Sequence, residues 1–289
     1  MNIDNLAKIP TNIITGFLGS GKTSTILHLL KSKPADERWA ILVNEFGEIG
    51  IDGSLMAGNN SEAEGVFIRE VPGGCMCCTA NIPVQIALAQ LIKQSRPDRL
   101  LIEPTGLGHP LEVLQLLTEG SNKDLFSIDK TITLIDARKL SDGRYTEHKI
   151  FNQQIEIADV IVANKQDLYR DNDKELVEPY ILKIAQQKLP IVFTDHGVID
   201  FKLLDGTTRL LLARPHHKHQ RSHSHSDSND STEQNIPEVG YLSATNQGEG
   251  FQSIGWRFAP DKIFDREKLL SFLTGLIVER MKAVFITAD

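Results

Sequence analysis

Through residue 200 the chain alternates short apolar runs with longer stretches of helical periodicity. Ile13-Ile14, Ala40-Ile41-Leu42-Val43, Leu100-Leu101-Ile102, Ile132-Thr133-Leu134-Ile135, Val160-Ile161-Val162 and Ile191-Val192-Phe193 show little polar alternation. They read as strands buried on both faces, the mark of a parallel sheet. Between them, amphipathic stretches near 24–32, 84–95, 111–119, 150–158 and 174–188 read as helices. Pro83 and Pro110 open two of these, because a first-turn proline gives up an N–H that has no helical partner. This alternation predicts a doubly wound α/β domain of mostly parallel strands, with ligands at the strands' C-terminal ends.

The pattern breaks at 216–235, where His, Ser, Asp and Asn stand without one aliphatic or aromatic residue. Such a tract buries too little surface to offset its ordering entropy, so 215–238 reads as a flexible linker. Beyond it, 251–258 reads as a strand, 267–280 as an amphipathic helix and 283–287 as the start of another strand. The expected organisation is a domain at 1–214, the linker, and a short α+β C-terminal domain at 239–289, small for an independent unit.

Composition narrows the class. At 289 residues, 40% hydrophobic and 24% charged, the chain can build a sizeable core. A net charge of -7 argues against a global grip on nucleic acid or an anionic membrane. No apolar run approaches the ~20 residues of a membrane span, and the acid-containing N-terminus is no secretory signal. A cytoplasmic protein is expected, without nucleic-acid or membrane partners. Three cysteines, an odd number, argue against a disulfide framework.

Candidate chemistry starts at Gly16-Phe17-Leu18-Gly19-Ser20-Gly21-Lys22-Thr23, which fits G-x-x-x-x-G-K-[ST] between a strand and a helix that begins at Ser24. Glycines let backbone N–H groups turn inward around phosphate oxygens at a helix N-terminus. A P-loop NTPase uses the lysine, here Lys22, to neutralise the β and γ phosphates and the hydroxyl, here Thr23, to ligate Mg²⁺. Leu100-Leu101-Ile102-Glu103 ends a hydrophobic strand in an acid. Glu103 is the candidate for the second Mg²⁺-facing carboxylate, with Gly106 allowing close approach to the γ-phosphate; the alternative is an acid that merely caps a strand.

Asn164-Lys165-Gln166-Asp167 follows Val160-Ile161-Val162 directly. A carboxylate there accepts two hydrogen bonds from guanine's ring N–H and amino group, a pair adenine lacks, so it selects GTP. The alternative is a solvated turn whose charges face water.

All three cysteines fall in Gly73-Gly74-Cys75-Met76-Cys77-Cys78. Random placement would put three cysteines in so narrow a window only about twice in ten thousand chains. Adjacent Cys77 and Cys78 are poorly placed to bridge each other. Three thiolates in one loop instead supply most of a tetrahedral Zn²⁺ site, or suit Cu⁺. A redox thiol pair and buried structural cysteines are the other readings. Asn44-Glu45-Phe46-Gly47-Glu48-Ile49-Gly50-Ile51-Asp52 packs three acids into a loop after a strand; Glu45 or Glu48 supplies a fourth metal ligand, faces the nucleotide Mg²⁺, or simply belongs to an acidic surface loop. His216, His217, His219, His223 and His225 form either a weak metal-collecting arm or a linker without a role. His109 and His196, each isolated, are either accessory ligands or, the favoured reading for a lone histidine, side chains without a ligand role.

Taken together, GFLGSGKT (16–23), NEFGEIGID (44–52), GGCMCC (73–78), IEPTG (102–106) and NKQD (164–167) resemble the CobW-type metallochaperone GTPases. LVNEFGEIGIDG (42–53), PGGCMCC (72–78) and PDRLLIEPTGLGHP (97–110) look closest to the YeiR-type zinc-binding subgroup. The resemblance implies a GTPase that binds GTP, Mg²⁺ and Zn²⁺ and delivers zinc to a client metalloprotein. It puts zinc on Cys75, Cys77 and Cys78, with Glu48 matching an acid implicated in metal binding, and phosphates on Gly19 to Thr23. Guanine falls on Asn164, Lys165 and Asp167. A metal-dependent homo-oligomer is a further expectation, and the C-terminal domain is shorter than the family's. Nickel or cobalt insertion, or a GTP-binding zinc buffer or sensor with little turnover, are the competing functions.

Overall fold

The computed structural model describes residues 8–44, 64–71, 82–170, 172–212, 240–248, 251–259, 261–278, 281, 283 and 285–288. Eight strands form one sheet in which every pairing is parallel: β1 (Ile9–Gly16), β2 (Trp39–Asn44), β3 (Val66–Val71), β4 (Arg99–Glu103), β5 (Phe126–Ile128), β6 (Ile132–Ile135), β7 (Val160–Ala163) and β8 (Ile191–Phe193). Their order is β3-β2-β4-β1-β6-β7-β8, with β5 beside the first half of β1. The chain winds outward from β1 in both directions, so the switch between halves lies at the end of β1, where such folds open a ligand crevice.

Period-two alternation explains why both faces need helices. Ile13, Ala40, Leu42, Leu100 and Ile102 face one layer, packed by α2 (Ile82–Ser95) through Val84, Leu88 and Leu91 and by α3 (Pro110–Thr118) through Val113 and Leu114. Ile14, Ile41, Val43, Leu101 and Leu134 face the other, where α1 (Lys22–Ser32) contributes Ile26, Leu29 and Leu30. A third cluster joins Phe17, Ile135, Ile161 and Ala163 to α5 (Lys149–Glu156) and α6 (Asp173–Ala185). The single turn α4 (Gly143–Thr146) leads into α5. A last turn, α7 (Arg209–Leu212), closes the described part of this unit.

Two strands of this sheet escape the hydrophobic pattern, as does Tyr241–Gly248 further on. β3 carries Arg69 and Glu70 and is only partly buried because it is a sheet edge. β5 has three residues, too few for a period. The expectation that 191–193 is buried on both faces fails for the same reason: β8 is the opposite edge, and Phe193 is exposed. Toward the C-terminus, β9 (Tyr241–Gly248) and β10 (Phe251–Phe258) form an antiparallel hairpin. The helix expected at 267–280 is α8 (Arg266–Thr274), capped by Asp265 and stopped at Gly275. Among the described residues of 283–287, where a strand was expected, there is a bridge from Thr287 to Phe264. The linker expected at 215–238 lies outside the described residues. Among the described residues no helix is long and apolar enough to cross a membrane.

Candidate nucleotide site and the adjoining metal loops

The phosphate loop grows from the end of β1. Gly16 has φ +144°, and a Cβ there would lie 2.4 Å from the Leu134 carbonyl oxygen. Gly21 has φ +104° and would meet Asn164 Nδ2 at 2.2 Å. Only glycine fits either position, which is why the loop needs these residues. Gly19, also at positive φ, has open space beside it. Lys22 is buried, and its Nζ donates to the Gly16 carbonyl at 2.9 Å and the Phe17 carbonyl at 3.5 Å. The ammonium therefore lies across the loop, against two of its carbonyl oxygens. Ser20 is buried and Ser24 exposed on the first turn of α1.

β4 brings Glu103 to the same place. Its Oε1 accepts a hydrogen bond from Thr23 Oγ1 at 3.1 Å, with both residues buried. Two hard oxygen donors at the foot of a phosphate loop match what Mg²⁺ takes from a protein, leaving its other positions for water and phosphate. Gly106 packs on the loop itself: a Cβ there would come within 2.9 Å of the Leu18 backbone nitrogen.

The base corner is built around Asn164, which is buried rather than displayed. Its Nδ2 donates to the Ser20 carbonyl at 2.9 Å, and its Oδ1 accepts from Gly197 N at 3.0 Å. Asn164 thus ties the phosphate loop to the turn after β8. Tyr169 donates to the Asn164 carbonyl at 2.6 Å and accepts from Ala137 N at 3.1 Å. Burial pushes its phenol up to about 12, so it keeps the proton it donates. Lys165 sits at φ +63° with Nζ 3.7 Å from the buried carboxylate of Asp136, which also pairs with Arg138 at 2.6 Å. Asp167 is exposed on a 3₁₀ turn, free of the buried network.

Tyr169, Asp136 and Gly197 take part here although no motif named them. Asp136 directly follows β6 and orients Lys165; the signal was an acid at the end of a hydrophobic strand, the cue that singled out Glu103. Gly197 holds Asn164 at φ +74°, and a Cβ there would collide with Thr25 N at 2.7 Å. His196, at φ +50°, precedes it and is exposed.

Cys75, Cys77, Cys78 and Glu48 lie outside the described residues, as does the histidine tract. The strands that lead to them are described. β3 ends at Val71, which pairs with Asn44 at the end of β2, and Val43 pairs with Glu103. Among the described residues no group of three His, Cys, Asp or Glu side chains is placed to hold a metal. His109 Nδ1 lies 3.1 Å from Gln153 Oε1.

A model of the CobW/HypB/UreG nucleotide-binding domain matches residues 10–192, which takes in the phosphate loop, Glu103, Gly106 and the turn at Asn164–Asp167. The chain belongs to the CobW/HypB/UreG family. It is 40% identical over 275 residues to the zinc chaperone YeiR of Escherichia coli, covering 95% of this chain and 82% of that protein. It is 33% identical over 198 residues to zinc-regulated GTPase metalloprotein activator 1 of Schizosaccharomyces pombe, covering 68% of this chain and 48% of that protein. Among solved structures, the Zn(II)-bound YjiA GTPase from E. coli shares the fold, with a TM-score of 0.51 at 24% identity over 69% of this chain and 62% of that one.

Proposed function

We propose that this family member is a zinc-binding GTPase acting as a metallochaperone, which couples GTP binding and hydrolysis to zinc binding and transfer to a client metalloprotein. The observation that carries the reading is the register along the sheet's C-terminal edge. Glu70, Val43 and Glu103 share one row of β3, β2 and β4. With strands about 4.8 Å apart, the end of β3 stands roughly 10 Å from the acid at the phosphate loop. Cys75 is four residues beyond Val71 and Glu48 four beyond Asn44. Four residues reach at most about 14 Å, so the chain between each strand end and its candidate ligand is long enough to bridge that distance. The names of the curated relatives support zinc as the cargo.

In this reading Lys22 exchanges the Gly16 and Phe17 carbonyls for β- and γ-phosphate oxygens, and the loop amides complete the cradle. Thr23 and Glu103 would hold Mg²⁺, which would supply charge neutralisation at the phosphates; Lys22 and the loop amides stabilise the charge that builds as water attacks the γ-phosphorus and the bond to the β-phosphate oxygen breaks. Asp167 accepts from guanine while Asn164 and Asp136 keep its strand end and Lys165 in place. Cys75, Cys77 and Cys78 take zinc as thiolates, with Glu48 as the oxygen donor of a four-ligand set.

Metal content tests the assignment. Protein purified with zinc holds one tight equivalent, and Cys77→Ser loses it while GDP affinity stays within about threefold. Retention of tight zinc by a variant lacking all three cysteines would overturn the site.

A further inference from the structure

The segment that backs the nucleotide site is α5, and it touches the site twice. Phe151 packs edge-on against Phe17 of the phosphate loop, with ring centroids 5.8 Å apart. One turn on, Gln154 Nε2 donates to the Gly106 carbonyl at 3.0 Å. Gly106 is therefore held from two sides: Leu18 of the phosphate loop fills the space where its side chain would be, and Gln154 fixes its carbonyl. The neighbouring Gln153 reaches His109 at the other end of the same short turn.

Gln154 is 1% exposed, and its own carbonyl accepts from Thr133 Oγ1 of β6 at 2.7 Å, so its place on the sheet is set independently of the side chain. Its Oε1 is buried and has no hydrogen-bond partner among the described residues. An apolar side chain would occupy that volume without an unpaired acceptor. What an amide adds is the donor on Gly106. A glycine has no side chain to restrain its rotation, so anchoring its carbonyl plane is the direct way to restrict where its N–H points.

The geometry points to Gln154 as a positioning residue that distinguishes GTP from GDP by holding Gly106 against the phosphate loop. The inference rests on the GTPase reading and adds to it that the Gly106 N–H, beside Leu18 of the phosphate loop, addresses the γ-phosphate that GDP lacks. Gln154 touches no nucleotide. It narrows the range of Gly106 conformations before binding, so the hydrogen bond to the γ-phosphate costs less ordering.

The test compares GDP with the non-hydrolysable β,γ-imido analogue of GTP on the full chain. In Gln154→Met, affinity for the imido analogue falls about tenfold, a coupling within the usual range, while GDP affinity stays within about twofold and turnover falls with the first. Equal losses for the two nucleotides, or no loss for either, would overturn the inference, since a merely structural residue moves both together. On the wild-type chain the Gln154 side-chain amide resonances shift when GDP is exchanged for the imido analogue; unmoved resonances would overturn it even if the variant did not fold. A wild-type chain that bound neither nucleotide would instead overturn the GTPase reading beneath it.

Discussion

The two ends of the sheet bury polar groups in opposite ways. Toward the strands' N-terminal ends, Arg99 donates to Asn12 Oδ1 and Asp205 Oδ1, both at 2.7 Å, and lies 3.7 Å from Asp129 and 5.7 Å from the Trp39 ring centroid. Asn12 donates onward to the Leu204 and Lys130 carbonyls at 2.7 and 2.9 Å. That cluster spends its hydrogen bonds on itself, and it locks β1, β4 and the segment after β8 together. At the C-terminal ends, Ser20 Oγ, Thr25 Oγ1 and Gln154 Oε1 are buried with no hydrogen-bond partner among the described residues; at the other end Thr131 Oγ1 alone shares that condition. Buried polar atoms left over are costly, and folds keep them where a ligand or a mechanism uses them. In the proposed function the upper edge carries the chemistry and the lower cluster only holds strands together, so substitutions at the two ends should separate cleanly into activity and stability.

The largest effect is expected at the upper edge. Lys22→Ala should cut steady-state phosphate release by about 100-fold or more, the usual loss when a charge-stabilising group at phosphate is removed, with the melting temperature nearly unchanged. Glu103→Gln should lower turnover comparably and raise the Mg²⁺ concentration needed for half-maximal rate. Next comes Asp167→Asn, which should shift preference from guanine to xanthine nucleotides by about 100-fold in competition binding, because the new amide donates where the carboxylate accepted. An unshifted preference would make that turn a solvated one.

At the lower end the sign reverses. Arg99→Met leaves Asn12 Oδ1 and two carboxylates short of a donor and should cost about 1–3 kcal/mol in denaturant unfolding, while GDP affinity stays put. The smallest effect concerns pH. Burial holds the Asp129 carboxyl above its ordinary value, outweighing the opposing pull of Arg99. The folded chain then keeps that proton to a higher pH than the unfolded chain does, so this group's contribution to stability falls as pH rises through the carboxylate range. Asp129→Asn should flatten that decline and raise the melting temperature at neutral pH by about a degree or two.

How far the sequence reached follows the same physics. Interior strands such as Ala40-Ile41-Leu42-Val43 and Leu100-Leu101-Ile102 announce themselves because both faces are buried, so every residue is apolar. Edge strand β3, with Arg69 and Glu70 half in solvent, does not. The phosphate loop was legible because its glycines answer steric demands within eight residues. The partnership of Asn164 with Ser20 and Gly197 was not, since it joins residues 144 and 33 positions apart. Asn164 stands in the motif as a base reader, yet its side chain spends both ends on bracing loops. Gln154 gave no signal at all, being one polar residue within an amphipathic helix.

Nucleotide-dependent zinc affinity tests the central claim most directly. Zinc binding should be measured by chelator competition with the chain saturated first by GDP and then by the β,γ-imido analogue of GTP. Zinc should bind at least about fivefold more tightly with the analogue, and by linkage the analogue should gain the same factor when zinc is present. Equal zinc affinity in both nucleotide states would contradict it.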